Sequence, residues 1–121
     1  LAGGEVLSLE EKFLAGEGTN ITPPRYHSDP NVSKMIGGKV REQLLNVARI
    51  LDIEGYARID AFVRIYDPEH VELIVIEVNS LPGMTPATAI FHQAAMEKLK
   101  PVEFIDKIIQ YGLKKAEYDR A

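Results

Sequence analysis

The sequence predicts an α+β fold, an antiparallel sheet with helices on one face, and three observations lead there. Apolar residues recur at helical spacing in the segments around 40–51 and 104–113. Between these segments apolar and polar residues alternate from Tyr56 to Ile65, the period of a strand with one covered face. A turn cluster, "YDPEH", then joins that strand to a second β-rich run, "VELIVIEVN", so the two strands are expected to pair as a hairpin.

Taken in order, residues 1–30 are expected to form a mobile loop and the strand that leads into the fold. Apolar and acidic residues mix in the first stretch, which "AGEGTN", Pro23 and Pro24 then break, with one short strand expected around Ile21. Gly16 and Gly18 suit the hinge of that loop better than a phosphate cradle, which needs a strand before it and a helix after it. Residues 31–121 supply a helix, the hairpin, a loop and two helices. Val40, Leu44, Val47 and Leu51 share one face of the first helix. Asp29, Asn31 and Ser33 are its candidate caps, and Gly55 is its candidate left-handed exit.

In the first strand Ala57, Ile59, Ala61, Val63 and Ile65 fall on one side, while Tyr56, Arg58, Asp60, Phe62 and Arg64 fall on the other. After "SLPGMTP", the segment "ATAIFHQAAMEKL" is rich in helix formers. The last helix carries Phe104, Ile105, Ile108, Ile109 and Leu113, with Pro101 suited to its first turn and Gly112 weakening it modestly.

At 121 residues with 45% hydrophobic content, the chain has the length of one ordinary domain and the composition for a core. It opens at Leu1 as if in mid-element, and so reads as a piece of a longer protein. No apolar run approaches membrane-spanning length and no signal-peptide pattern is present, so a soluble, cytoplasmic protein without a membrane partner is expected. The absence of cysteine excludes disulfides and thiolate zinc sites, and His27, His70 and His92 lack metal-ligand spacing. With 14 basic against 18 acidic residues and a net charge of -4, nucleic acid is not an expected partner.

The hairpin raises a chemical question, because the second strand ends in Glu77 and Asn79 just before a rigid loop. A turn centred between Pro68 and Glu69 pairs Tyr66 with Val71, Asp60 with Glu77 and Arg58 with Asn79. Arg58, Asp60, Glu77 and Asn79 then share one face. Opposed carboxylates on neighbouring strands repel unless a cation lies between them. Two carboxylates and an amide are hard oxygen ligands, so the expected ion is magnesium or manganese, its shell completed by phosphate oxygens. Arg58 offers a fork of donors to an anionic oxygen. The same residues also fit a plainer arrangement, in which Arg58 simply pairs with Glu77 on the wet face of a sheet.

"GYARIDAFVR" followed by "IEVNSLPGMTPAT" resembles the carboxyl-terminal lobe of the ATP-grasp enzymes, and most closely the D-alanine:D-alanine ligase family. "EEKFLAGEGTNITPPRY" is similar to that family's acidic-lysine stretch, loop and strand, so the resemblance spans nearly the whole chain. It implies a carboxyl-terminal ATP-grasp lobe whose parent joins a carboxylate to an amine through an acyl phosphate, in peptidoglycan precursor synthesis. ATP is the implied substrate and two Mg2+ or Mn2+ ions are the implied cofactors. At matching positions Asp60 would hold one ion, Glu77 would bridge two and Asn79 would complete the second. Arg58 would steady the acyl-phosphate or tetrahedral oxygen, and Gly83 would let the backbone approach substrate and form part of an oxyanion site. Lys12 matches a lysine near the ATP phosphates, Phe13 stands where the ligases commonly have tyrosine, and Thr88 stands where a serine often meets a substrate carboxylate.

The partners so implied are ATP, small amino-acid or hydroxy-acid substrates, the nucleotide-binding and amino-terminal domains that these residues do not contain, and a second copy in a homodimer. The isolated chain is expected to be inactive. A different class of function, an ATP-grasp-like interaction module that never turns over, is disfavoured by the retained Asp60, Glu77, Asn79, Arg58 and Gly83.

Overall fold

A computed structural model of the chain describes residues 21–84 and 88–120. It divides into two compact units, Arg25–Pro82 on the one hand and Leu1–Pro24 with Gly83–Ala121 on the other. The described elements are three helices and a two-stranded antiparallel sheet, the expected α+β class. No strand occurs at Ile21 or elsewhere among residues 21–29, and the rest of the expected leading segment, with Lys12 and Phe13, lies outside the described residues.

In the first unit, helix α1 runs Pro30–Ile50. Of its three candidate caps Asp29 is the one that acts, its carboxylate accepting from the backbone N–H of Asn31 at 2.8 Å and of Val32 at 3.4 Å. Asn31 and Ser33 lie inside the helix, and the Ser33 hydroxyl accepts from Tyr26 N–H at 3.1 Å. The left-handed residue that ends the helix is Asp52, with φ 50°, while Gly55 is left-handed as well, at φ 75°, three residues farther on. Ile53 N–H donates to Ala48 O at 2.9 Å and Asp52 N–H to Arg49 O at 3.2 Å, the paired bonds of a Schellman ending. An aspartate tolerates that conformation better than most residues, so the chain turns three positions before the glycine.

The buried stripe of α1 is Ile36 and Val40, one turn earlier than the spacing of Val40, Leu44, Val47 and Leu51 suggests. Leu51 caps the helix and is half exposed. The helix packs on the second strand of the hairpin, and Gln43 fastens the two together. Its side-chain amide donates to Val71 O at 2.8 Å and accepts from Leu73 N–H at 2.9 Å, standing in for a neighbouring strand along that edge.

Strand β1 runs Arg58–Ile65 and strand β2 Val71–Asn79. Near the turn the register differs from the sequence expectation, since Val71 pairs with Ile65 rather than Tyr66. The turn therefore centres on Pro68, and the Asp67 carboxylate closes it by accepting from Glu69 N–H at 2.7 Å and His70 N–H at 2.8 Å. A bulge between Asp60 and Ala61 then shifts the pairing, so that Asp60 faces Glu77 and Arg58 faces Asn79.

In the second unit, helix α2 runs Ala89–Met96 and helix α3 runs Pro101–Tyr118. Phe91 and Phe104 meet edge to face, ring centres 6.1 Å apart, and Ala94 is buried. Lys98, with φ 60°, ends α2 as Asp52 ends α1. Pro101 sits in the first turn of α3 as its fixed φ favours, and the Glu103 carboxylate accepts from Lys100 N–H at 2.8 Å. Among the described residues no helix is long and apolar enough to cross a membrane.

Candidate functional site

The bulge determines what the hairpin presents. Along β2, Val71, Leu73 and Val75 pair with Ile65, Val63 and Ala61, the apolar side of β1. Uninterrupted alternation would put residues 77 and 79 on that same side. Ile76 has no partner on β1, and by taking up one position it moves Glu77 and Asn79 across to the side of Asp60 and Arg58. Val78, opposite Ile59, then continues the apolar side. The sequence expectation reached the right cross-strand pairs at this end with the wrong turn centre, because the two differences cancel.

The four side chains meet closely. Arg58 grips the Asp60 carboxylate with both arms, Nε to Oδ1 at 2.8 Å and Nη2 to Oδ2 at 2.9 Å. The same Nη2 donates to Glu77 Oε1 at 3.3 Å, and Asn79 Nδ2 donates to that oxygen at 3.1 Å. The hydrogen bond to Asp60, and then the charges of both carboxylates, hold the Arg58 guanidinium above its ordinary pKa although partial burial opposes them. The plain expectation of an Arg58–Glu77 pair is thus met, and the expected opposition of Asp60 and Glu77 is met with it.

These groups are accessible, with 43% of the Arg58 side chain and 35% of that of Asp60 exposed. Exposed pairs of this kind contribute about 0.2–1 kcal/mol each, so stability alone gives little reason for two carboxylates to be opposed here. Among the described residues, no three of His, Cys, Asp and Glu gather to cage a metal unaided. Two carboxylates and an amide instead suit a hard divalent ion that draws its remaining ligands from phosphate and water.

Farther along the same face of β1, Arg64 Nη1 donates to Tyr66 Oη at 3.2 Å and to Glu72 Oε2 at 3.1 Å, and the Tyr66 hydroxyl donates to that carboxylate at 3.1 Å. Phe62, on the same side, is 67% exposed, and the bulged Ile76 is 57% exposed. The role of Ile76 is what sequence reasoning missed. Its signal is the phase slip in "VELIVIEVN", where apolar positions are odd up to Val75 and the final polar pair, Glu77 and Asn79, is odd as well.

Gly83 and Thr88 belong to the second unit. Thr88 is the N-cap position of α2, its carbonyl accepting from Phe91 N–H at 3.2 Å. A Cβ at Gly83 would meet Thr88 Cγ2 at 3.9 Å, an ordinary contact, and Gly83 does not have a positive φ. Among the described residues, neither backbone angle nor packing therefore requires a glycine there.

The family model "D-ala D-ala ligase C-terminus" matches residues 3–110. A D-alanine--D-alanine ligase of Leptospira interrogans serogroup Icterohaemorrhagiae serovar copenhageni is 32% identical over 96% of this chain and 30% of its own length. The enzyme of that name from Ruminiclostridium cellulolyticum is 30% identical over 92% of this chain and 28% of its length. The one from Carboxydothermus hydrogenoformans is 33% identical over 86% of this chain and 30% of its length. The chain thus spans about 30% of the length of these relatives. No solved structure matches.

Proposed function

The chain belongs to the D-ala D-ala ligase C-terminus family, a part of the ATP-grasp fold, and from that membership we propose that the full protein is an ATP-dependent ligase joining a carboxylate to an amine, most like a D-alanine--D-alanine ligase. The reading is carried by one observation, the convergence of Arg58, Asp60, Glu77 and Asn79 on one face of the hairpin. In it, residues 1–121 are the carboxyl-terminal subdomain, and the nucleotide-binding and amino-terminal domains lie elsewhere in the protein. Cytoplasmic location and assembly as a homodimer belong to the same proposal.

Asp60, Glu77 and Asn79 would hold magnesium or manganese, two ions in all. The bound ions would supply charge neutralisation for the ATP phosphates and for the oxygens that develop charge during transfer. Rigid strands hold the ligands, so Asp60 and Glu77 are presented without a loop having to order first. Arg58 would offer its fork to the acyl-phosphate or tetrahedral oxygen. Gly83, where no contact among the described residues demands a glycine, would give its backbone room against substrate. Lys12 would neutralise ATP phosphate, while Phe13 and Thr88 would border the second substrate and a substrate carboxylate. No enzyme nucleophile is needed, because substrate carboxylate attacks the γ-phosphate of ATP and the amine then displaces phosphate from the acyl phosphate.

The test is phosphate release from ATP by the full protein with D-alanine, D-lactate and a panel of amino acids, the products identified by mass spectrometry. Release that requires D-alanine and yields a dipeptide or depsipeptide is expected. Nucleotide binding without release for any acceptor would overturn the proposal in favour of a binding module.

A further inference from the structure

The face that carries Asp60 and Glu77 has a cation of its own. Arg58 engages both oxygens of Asp60, at 2.8 and 2.9 Å, and one oxygen of Glu77 at 3.3 Å. Asn79 adds a second donor to that Glu77 oxygen at 3.1 Å. Three of the four carboxylate oxygens in the pair are therefore spoken for by N–H donors. A magnesium ion binds its oxygens at about 2.0–2.1 Å and demands lone pairs directed at itself, which a fork already seated on both oxygens of Asp60 obstructs.

We propose that Arg58 is an exchangeable counter-cation, which holds Asp60 and Glu77 side by side and must release Asp60 for a divalent ion to bind there. This rests on reading the hairpin as a divalent-cation site. Three features support the exchange. The pairs are exposed, so breaking them costs little. Arg58 sits directly opposite Asn79 and two residues from Asp60, so it keeps the like charges from driving the strand ends apart while the ladder forms. With Nε on Asp60 and Nη2 shared between Asp60 and Glu77, the Nε–Nη2 edge of the guanidinium is occupied, so the release that opens the carboxylates frees that edge for bidentate contact with an anionic substrate oxygen. Asn79 behaves in parallel, because an amide that donates its nitrogen to Glu77 must turn before it offers its oxygen.

The experiment is a manganese titration of the full protein without nucleotide, free Mn2+ being read by electron paramagnetic resonance. Wild type is compared with Arg58→Lys, Arg58→Gln and Asp60→Asn, with circular dichroism to establish that each variant folds. Lysine keeps the positive charge and loses the fork, so it separates contact from field. Arg58→Lys is expected to bind manganese about two- to fivefold more tightly than wild type, the equilibrium equivalent of losing an exposed ion pair. Arg58→Gln should bind at least as tightly as the lysine variant, and if glutamine does not fold the lysine variant carries the test. Wild-type or weaker affinity in Arg58→Lys overturns the exchange and leaves Arg58 as a simple source of repulsion. Unchanged affinity in Asp60→Asn overturns the divalent-cation reading itself, and the exchange falls with it.

Discussion

Glu77 is opposed to Asp60 and accepts from both Arg58 and Asn79, and in the proposed site its charge, rather than any packed volume, is what a cation would use. Glu77→Gln is expected to leave the urea midpoint of the full protein nearly unchanged, within about 0.5 kcal/mol as for most surface substitutions. The same change should lower ATP turnover by at least about a hundredfold, the upper end of what even outer partners of a metal site cost. Steady-state phosphate release measures this, and near-normal turnover would remove Glu77 from the ligand set. Gly83 allows a sharper separation of roles. Because a Cβ there meets no described residue closer than 3.9 Å, Gly83→Ala should keep the melting temperature while reducing turnover. A drop in stability matching the drop in rate would assign Gly83 to folding. Arg58, Asp60, Glu77 and Asn79 are legible as a set in the amino-acid sequence, since polar residues that interrupt an apolar strand stand out against its period. Their mutual hydrogen bonds are not, because side-chain conformation depends on neighbours from the other strand.

At the level of elements, α1 packs on β2 and one side chain, Gln43, adds two hydrogen bonds across that join. Gln43→Ala removes both bonds to the β2 backbone and leaves Val71 O and Leu73 N–H without that partner, so a loss of about 1–3 kcal/mol is expected from urea denaturation. Gln43→Glu should not restore it, since a carboxylate still accepts from Leu73 N–H but has no donor for Val71 O. The turn gives a pH effect of definite sign. The His70 ring, followed by the backbone N–H groups of Glu69 and His70, hold the Asp67 carboxyl below its ordinary range. A carboxyl with a depressed folded pKa stabilises the native state above the ordinary carboxylate value, near about 3.9, and that contribution disappears as pH falls through the depressed one. Asp67→Asn should therefore flatten the acid limb of a stability-versus-pH curve. The three helices and two strands are readable from periodicity, and their ends less so. Helix α1 stops at Asp52 rather than Gly55 because the Schellman bonds form where the chain first tolerates a left-handed residue, and aspartate suffices.

For the whole molecule, the described core is small. Ile36, Val40 and Ala94 are the buried apolar residues among those described, while Phe62, Leu81, Val102 and Tyr118 are largely exposed. Ile36 is fully covered, so Ile36→Ala should cost about 2–5 kcal/mol, measurable as a lower urea midpoint. The amino-acid sequence by itself determined the α+β class, the order of helix, hairpin and two helices, and the polar residues at the strand ends. These come from local spacing, because a helix or strand exposes its period to anyone reading along one chain. Tertiary structure alone decided which turn centre holds, that Ile76 is the bulged residue, and that Gln43 covers the β2 edge. Strand register is a balance between two chain segments, and a one-residue slip exchanges the faces of a strand without changing its composition. Only the paired ladder, with its apolar side kept together from Val71 to Val75 and again at Val78, selects the shift that brings Glu77 to Asp60.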